Sequence, residues 1–195
     1  AGKDSVRQRR KLAARDDVQP EILYYLAEDA DAEVRRAVAA NSVTPMQADL
    51  LLVGDADDLV RCGLAGKIAH LAPQLDADQQ DTVRGIVVEV LEKLARDELP
   101  RVRRILAEEL KDSANVPAGV IQRLARDDEL EVAAPVLEYS PLLSDEMLLE
   151  IISSKSVQGA LGAISRRAGL GEDVSDAVAA SDDEQAITSL LANSS

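Results

Sequence analysis

Phenylalanine and tryptophan are absent from this 195-residue chain, and its only aromatic side chains beyond the lone histidine are Tyr24, Tyr25 and Tyr139. A core without large rings has to be filled by Leu, Ala, Val and Ile, and Ala and Leu are strong helix formers. Such a core suits thin layers of stacked helices better than one large globular centre. Cysteine is represented by Cys62 alone, which excludes an intrachain disulfide and fits a reducing compartment. No apolar run approaches the ~20 residues that a membrane helix requires. No secretory leader is legible at the start, where residues 1–15 are basic and polar, so the expected location is the cytoplasm. Positive charge is also scarce: 22 Lys and Arg stand against 36 Asp and Glu, a net charge of −14. A field of that sign opposes nucleic acid and anionic lipid over most of the surface.

What the chain does contain is a repeat. Residues 26–41 (LAEDADAEVRRAVAAN), 52–67 (LVGDADDLVRCGLAGK), 94–109 (LARDELPRVRRILAEE), 124–139 (LARDDELEVAAPVLEY) and 178–193 (VAASDDEQAITSLLAN) align without gaps, and 151–166 reads as a copy with its turn trimmed. Each window carries an apolar pair, a short acidic turn, a Val that is often followed by Arg, and a second apolar pair. The apolar anchors are Leu26, Val34 and Val38, then Leu52, Val60 and Leu64, then Leu94, Val102 and Leu106. Self-similarity at this length is the mark of a repeat protein in which each unit buries its apolar face against the next. The copies are unevenly spaced. The widest gap holds residues 76–96, where Val83, Ile86, Val87, Val90, Leu91 and Leu94 recur at three- and four-residue steps and predict one long amphipathic helix.

Each unit reads as two helices joined by the acidic turn. Asp31, Asp57 and Asp183 stand where a helix N-cap is wanted, and Thr44 and Ser144 are expected to cap the helices after them. Pro20, Pro45 and Pro117 fall near first turns, where a missing N–H costs little. Arg35, Arg61 and Arg103 follow the inward Val and are placed to reach the acidic turn of a neighbouring unit, forming a ladder. The fourth copy has Ala133 and the last Ile187 at that position, so the ladder is expected to span three copies. Ion pairs of this type contribute ~0–1 kcal/mol each when exposed.

The Asp-turn-Val-Arg pattern resembles HEAT repeats, and with the uneven spacing it implies an all-α, right-handed α-solenoid of HEAT-like helix pairs. A closer likeness lies in residues 120–152, VIQRLARDDELEVAAPVLEYSPLLSDEMLLEII, with support from 67–80 and from GLGEDVSDAV at 169–178. This resembles the bacterial family known as domain of unknown function 2336, over roughly residues 15–193. The resemblance implies a helical fold in a bacterial cytoplasm and no reaction. The organisation expected is a single repeat domain over 1–195. Within it, 1–15 form a basic helix or tail, 16–75 the first two repeats, 76–143 repeats three and four, and 144–195 shortened C-terminal repeats.

The residues carry no enzyme signature. His70 has no partner histidine for a metal site or a triad, Cys62 stands at an ordinary helix position shared with Arg36 and Arg104, and the abundant carboxylates recur in turns that explain them. Gly169-Leu170-Gly171 lacks the Lys and Ser or Thr of a phosphate loop and reads as a helix stop. No catalytic, cofactor-binding or metal-ligating residue is therefore expected, and no cofactor. The expected role is a non-enzymatic protein–protein interaction scaffold, with Arg36, Arg104, Pro135 and Tyr139 as candidate partner contacts and a homodimer as one arrangement. Pro135, inside a predicted helix, marks either a bend or a binding segment. Nucleic-acid binding is the alternative, resting on the basic stretch Lys3, Arg7, Arg9, Arg10, Lys11 and Arg15 and opposed by the net charge. A HEAT-like enzyme is a more distant alternative. The C-terminal pattern runs to the last residues without a polar cap, so a longer natural chain, or pairing of this end with a second copy, is also expected.

Overall fold

A computed structural model describes residues 2–74, 81–154 and 157–193. Among these residues the chain is all-helical, with thirteen α-helices and no strand. It forms two compact units, residues 1–106 and 107–195, and the division falls within one helix.

The first unit opens with α1 (Gly2–Ala13) and continues with three helix pairs: α2 (Pro20–Leu26) with α3 (Ala32–Ala40), α4 (Met46–Leu52) with α5 (Asp58–Leu71), and α6 (Asp81–Leu94) with α7 (Pro100–Leu110), whose last turn belongs to the second unit. The pairs coincide with the sequence copies. The second helices pack in a row, α1 on α3 and α3 on α5, and the first helices in another, α2 on α4 and α4 on α6. The expected basic N-terminal segment is thus a helix that occupies a second-helix place at the start of the row. Of the long helix expected over 76–96, Asp81–Leu94 is helical, and residues 75–80 lie outside the described residues.

The second unit holds α8 (Ala118–Ala125) with α9 (Leu130–Tyr139), α10 (Asp145–Ser154) with α11 (Ala160–Ser165), and α12 (Glu172–Ala179) with α13 (Glu184–Ala192). Again α9 packs on α11, α11 on α13 and α10 on α12.

The core is aliphatic throughout. Leu23, Val34, Val38, Leu64, Leu91, Leu106, Leu124, Val132 and Leu148 are sealed from solvent. Burial of such a side chain contributes ~1.5–3 kcal/mol, so the aligned anchors are where most of the stability of each pair arises. α9 runs through Pro135 without interruption.

Four of the turns are closed in the same way. The first Asp of the turn (Asp29, Asp55, Asp97 and Asp127) accepts a hydrogen bond from the backbone N–H two residues on, at 2.8–3.0 Å. A carboxylate that holds its own turn in this way fixes the angle at which the second helix leaves. The second acidic residue caps that helix at Asp31, Asp57 and Asp183, as the sequence predicts. Ser144 also receives the amide of Met147. Thr44 does not cap: Pro45 holds the N-cap place of α4, and the buried Thr44 hydroxyl instead donates to the Val38 carbonyl at 2.7 Å, closing the end of α3.

Candidate functional site

The charged residues of the first unit are organised before any surface is left free. Arg35 forks onto Asp55 at 2.6 and 2.9 Å, and its third nitrogen donates to the Asp29 carbonyl at 2.7 Å. Arg61 repeats this on Asp97 and on the Asp55 carbonyl. Each guanidinium thus binds the turn of its own pair and the turn of the next. Arg103 continues the pattern toward its own turn by donating to the Asp97 carbonyl at 2.6 Å.

The ladder begins one copy earlier than the sequence pattern predicts. Arg9 of α1 forks onto Asp29 at 2.5 and 2.9 Å. Gln8 stands where the other copies have the inward Val, which hides the register. The rungs are also less exposed than surface ion pairs: the side chains of Arg61 and Asp97 retain only 9% and 6% of their accessible surface. The Arg9 guanidinium holds the Asp29 carboxyl below its ordinary range.

The last residue of the repeat window has a role of its own. The Asn41 amide donates to the Ala13 and Arg15 carbonyls at 2.7 and 2.9 Å, closing the C-terminal end of α1. Asn193 does the same for Ser165 and Arg167 at 3.1 and 2.8 Å, at the end of α11. Arg167 in turn donates to the carbonyls of Leu137 in the last turn of α9 and of Ser140 and Leu143 beyond it, half-buried enough that desolvation lowers its pKa. Orphan carbonyls at helix ends need such donors when they are away from water.

Lys67 occupies the same window position and turns inward instead. Its ammonium meets Asp49 at 2.5 Å, both side chains being buried, and Asp49 Oδ2 has no hydrogen-bond partner. Asp49 stands where α2, α6 and α8 place Leu23, Leu91 and Ile121. Burial pushes the Asp49 carboxyl up to about 6 and pulls Lys67 down.

The four candidate contacts lie in different surroundings. Arg36 forks onto Asp57 at 3.0 and 2.7 Å and also meets Glu33, so its charge is largely committed. That contact, with two backbone N–H bonds, lowers the Asp57 carboxyl to about 2. Arg104 is exposed on α7. Pro135 is half-buried within α9. Tyr139, at the end of α9, is 51% exposed, with the Lys111 ammonium 5.0 Å above its ring. Arg36 and Arg104 share a register position in the first unit, while Tyr139 belongs to the second.

Three cations of the basic N-terminal segment are paired with carboxylates. Arg9 engages Asp29, Arg10 engages Glu33 and Arg15 engages Asp17. What remains conspicuous is apolar. Tyr25 on α2 and Leu51 on α4 fall at the same repeat position and are exposed, as are Ile22, Tyr24 and Leu59 of the same unit.

Chemistry-bearing groups do not converge. Among the described residues no cluster of three or more His, Cys, Asp or Glu side chains is placed to hold a metal ion. Burial raises the pKa of the Cys62 thiol, which disfavours the thiolate. His70 is exposed in the last turn of α5. Among the described residues no helix is long and apolar enough to cross a membrane.

No curated protein matches the chain. The segment 120–152, which carries the family resemblance in sequence, overlaps from Val132 onward with a match to a protein-family model. Residues 132–195, from α9 to the end of the chain, are similar to the family described as an uncharacterised protein conserved in bacteria (DUF2336).

Proposed function

We propose that this chain is a right-handed α-solenoid of HEAT-like repeats that serves as a non-enzymatic protein–protein interaction scaffold in the bacterial cytoplasm. The observation that carries the reading is the division of labour among its side chains. Arginines and carboxylates recur as internal fastenings, while large apolar side chains recur on the outside at Tyr25 and Leu51. Successive first helices that present apolar side chains in register offer the extended surface by which repeat proteins hold partners.

The nucleic-acid alternative is weakened by the acidic pairing of Arg9, Arg10 and Arg15, since phosphate binding draws on free cations. A gel-shift measurement at low salt is expected to show no complex at micromolar protein. For the scaffold, affinity capture from bacterial lysate is expected to recover a specific protein with the wild-type chain and less of it with Tyr25→Ser and Leu51→Ser together. Recovery of no specific protein counts against the scaffold.

A further inference from the structure

The C-terminal end of α11, with α12 and α13, repeats the local arrangement of the end of α1 with α2 and α3. Asn193 closes the end of α11 through the Ser165 and Arg167 carbonyls as Asn41 closes α1 through those of Ala13 and Arg15. Asp183 caps α13 as Asp31 caps α3. In this register the ladder residues are replaced together. Leu161 stands for Arg9, Ser181 for Asp29, and Ile187 for Arg35. The rung is therefore lost, and so is the guanidinium that elsewhere donates to the turn carbonyl.

The turn keeps its acidity nonetheless, with Asp182, Asp183 and Glu184 in succession. Where the rung would lie there is a groove of about 880 Å³. Ile152, Leu161 and Ala177 give it apolar walls, and Ser181, Asp182 and Glu184 line its polar side. The hollow between the second and third turns of the first unit is about 450 Å³, and there the Arg61–Asp97 rung is present.

We propose that this groove is a docking site for an arginine-bearing apolar segment of a partner protein, whose guanidinium takes the place of the missing rung. The proposal rests on the scaffold reading and supplies it with a surface and a ligand chemistry. Arginine suits both walls: its methylene stem packs on Leu161 and Ile152 while its planar head forks onto carboxylates and the turn carbonyl. A purely apolar segment would cover Asp182 and Glu184 without pairing them, at a desolvation cost. An acidic segment is opposed by those carboxylates and by the net charge of −14.

The test is fluorescence anisotropy on the full chain. The probe is a fluorescein-labelled leucine–arginine repeat peptide, compared with the same peptide carrying citrulline at each arginine. The arginine peptide is expected to bind at least about tenfold more tightly. Asp182→Asn with Glu184→Gln is expected to weaken it by about tenfold or more. Leu161→Arg with Ser181→Asp rebuilds the rung within the chain and is expected to abolish binding with unchanged helical circular dichroism. Equal affinity of the two peptides, or binding untouched by the carboxamide variant, overturns the proposal. Lysate capture separates the two readings. If the wild-type and rebuilt-rung chains recover the same partner, the scaffold stands without this groove; if the wild-type chain recovers none, the scaffold itself fails.

Discussion

Lys67 Nζ lies 2.5 Å from Asp49 Oδ1, with both side chains shut off from solvent and the second Asp49 oxygen unpaired. Such a pair costs desolvation on both sides, and its Coulomb attraction repays this only with good geometry and full hydrogen bonding. Asp49→Leu alone leaves a buried ammonium without its counter-charge and is expected to lower stability by ~3–5 kcal/mol. Asp49→Leu combined with Lys67→Met restores the leucine found in α2 and α6 and is expected to be neutral or stabilising by ~1–4 kcal/mol. Urea denaturation of the two variants decides it: a double variant as weak as the single one refutes the argument.

The rungs are unequal. Arg61 is nearly buried against Asp97, whereas the Arg9 side chain keeps 36% of its surface. Arg61→Ala is expected to destabilise by ~3–5 kcal/mol, because the Asp97 carboxylate and the Asp55 carbonyl both lose a donor away from water. Arg9→Ala is expected to cost much less, as solvent reaches the place the guanidinium leaves. Thermal melts that rank the two variants the other way sink this gradient.

Two carboxylates should bend the pH profile of stability in opposite directions. Arg36 holds Asp57 at about 2 in the folded chain, below its unfolded value of ~4. The stability it contributes is complete above ~pH 4 and is lost as pH falls toward 2. Asp49 is raised to about 6, so between ~pH 4 and 6 the folded state holds more protons than the unfolded one, and this contribution falls as pH rises. Arg36→Ala is expected to flatten the lower window and Asp49→Asn the upper one. Urea midpoints measured at intervals from pH 2 to 7 should show each variant departing from the wild-type slope only in its own window, with a constant offset elsewhere.

Asn41→Ala removes two hydrogen bonds from the end of α1 at once, and Asn193→Ala does the same at α11. A loss of ~1–3 kcal/mol is expected for each. Asp is the more telling replacement: it keeps the size, has no donor, and sets a negative charge against carbonyl oxygens. Hydrogen exchange is expected to rise locally in the helix each asparagine closes. Protection that stays unchanged at α1 in Asn41→Asp shows the clamp to be idle.

The helix pairs were legible because their cause is periodic: Leu26, Val34 and Val38 recur in each copy and are sealed in the structure. Asp31 and Asp57 were legible because an N-cap depends on neighbours two and three residues away. Contacts that cross between copies were harder. Arg35 and Arg61 gave themselves away by repetition, but Arg9 did not, because Gln8 breaks the motif that precedes it. Asn41 and Asn193 share a window position, a signal present in the alignment; the function of that position depends on a helix end more than twenty residues away. Asp49 looks like a polar face residue in a short helix. Only the packing of α4 on α5 and α6 makes it a buried acid.

In the first unit Asn41 reaches backward to the end of α1, and Arg35 and Arg61 reach forward to the next turn, so the copies carry a direction as well as a period. The forward contact survives a large change in chain length: Arg35 and Asp55 are 20 residues apart and Arg61 and Asp97 are 36, yet both make the same fork. Inserted residues are harmless where they leave both partners in register, and only there. A chain of this kind can be lengthened by whole copies, since every added turn brings an acceptor for the arginine before it and every added asparagine closes the helix behind. A fragment of a copy would strand a cation at one boundary and bare a helix end at the other.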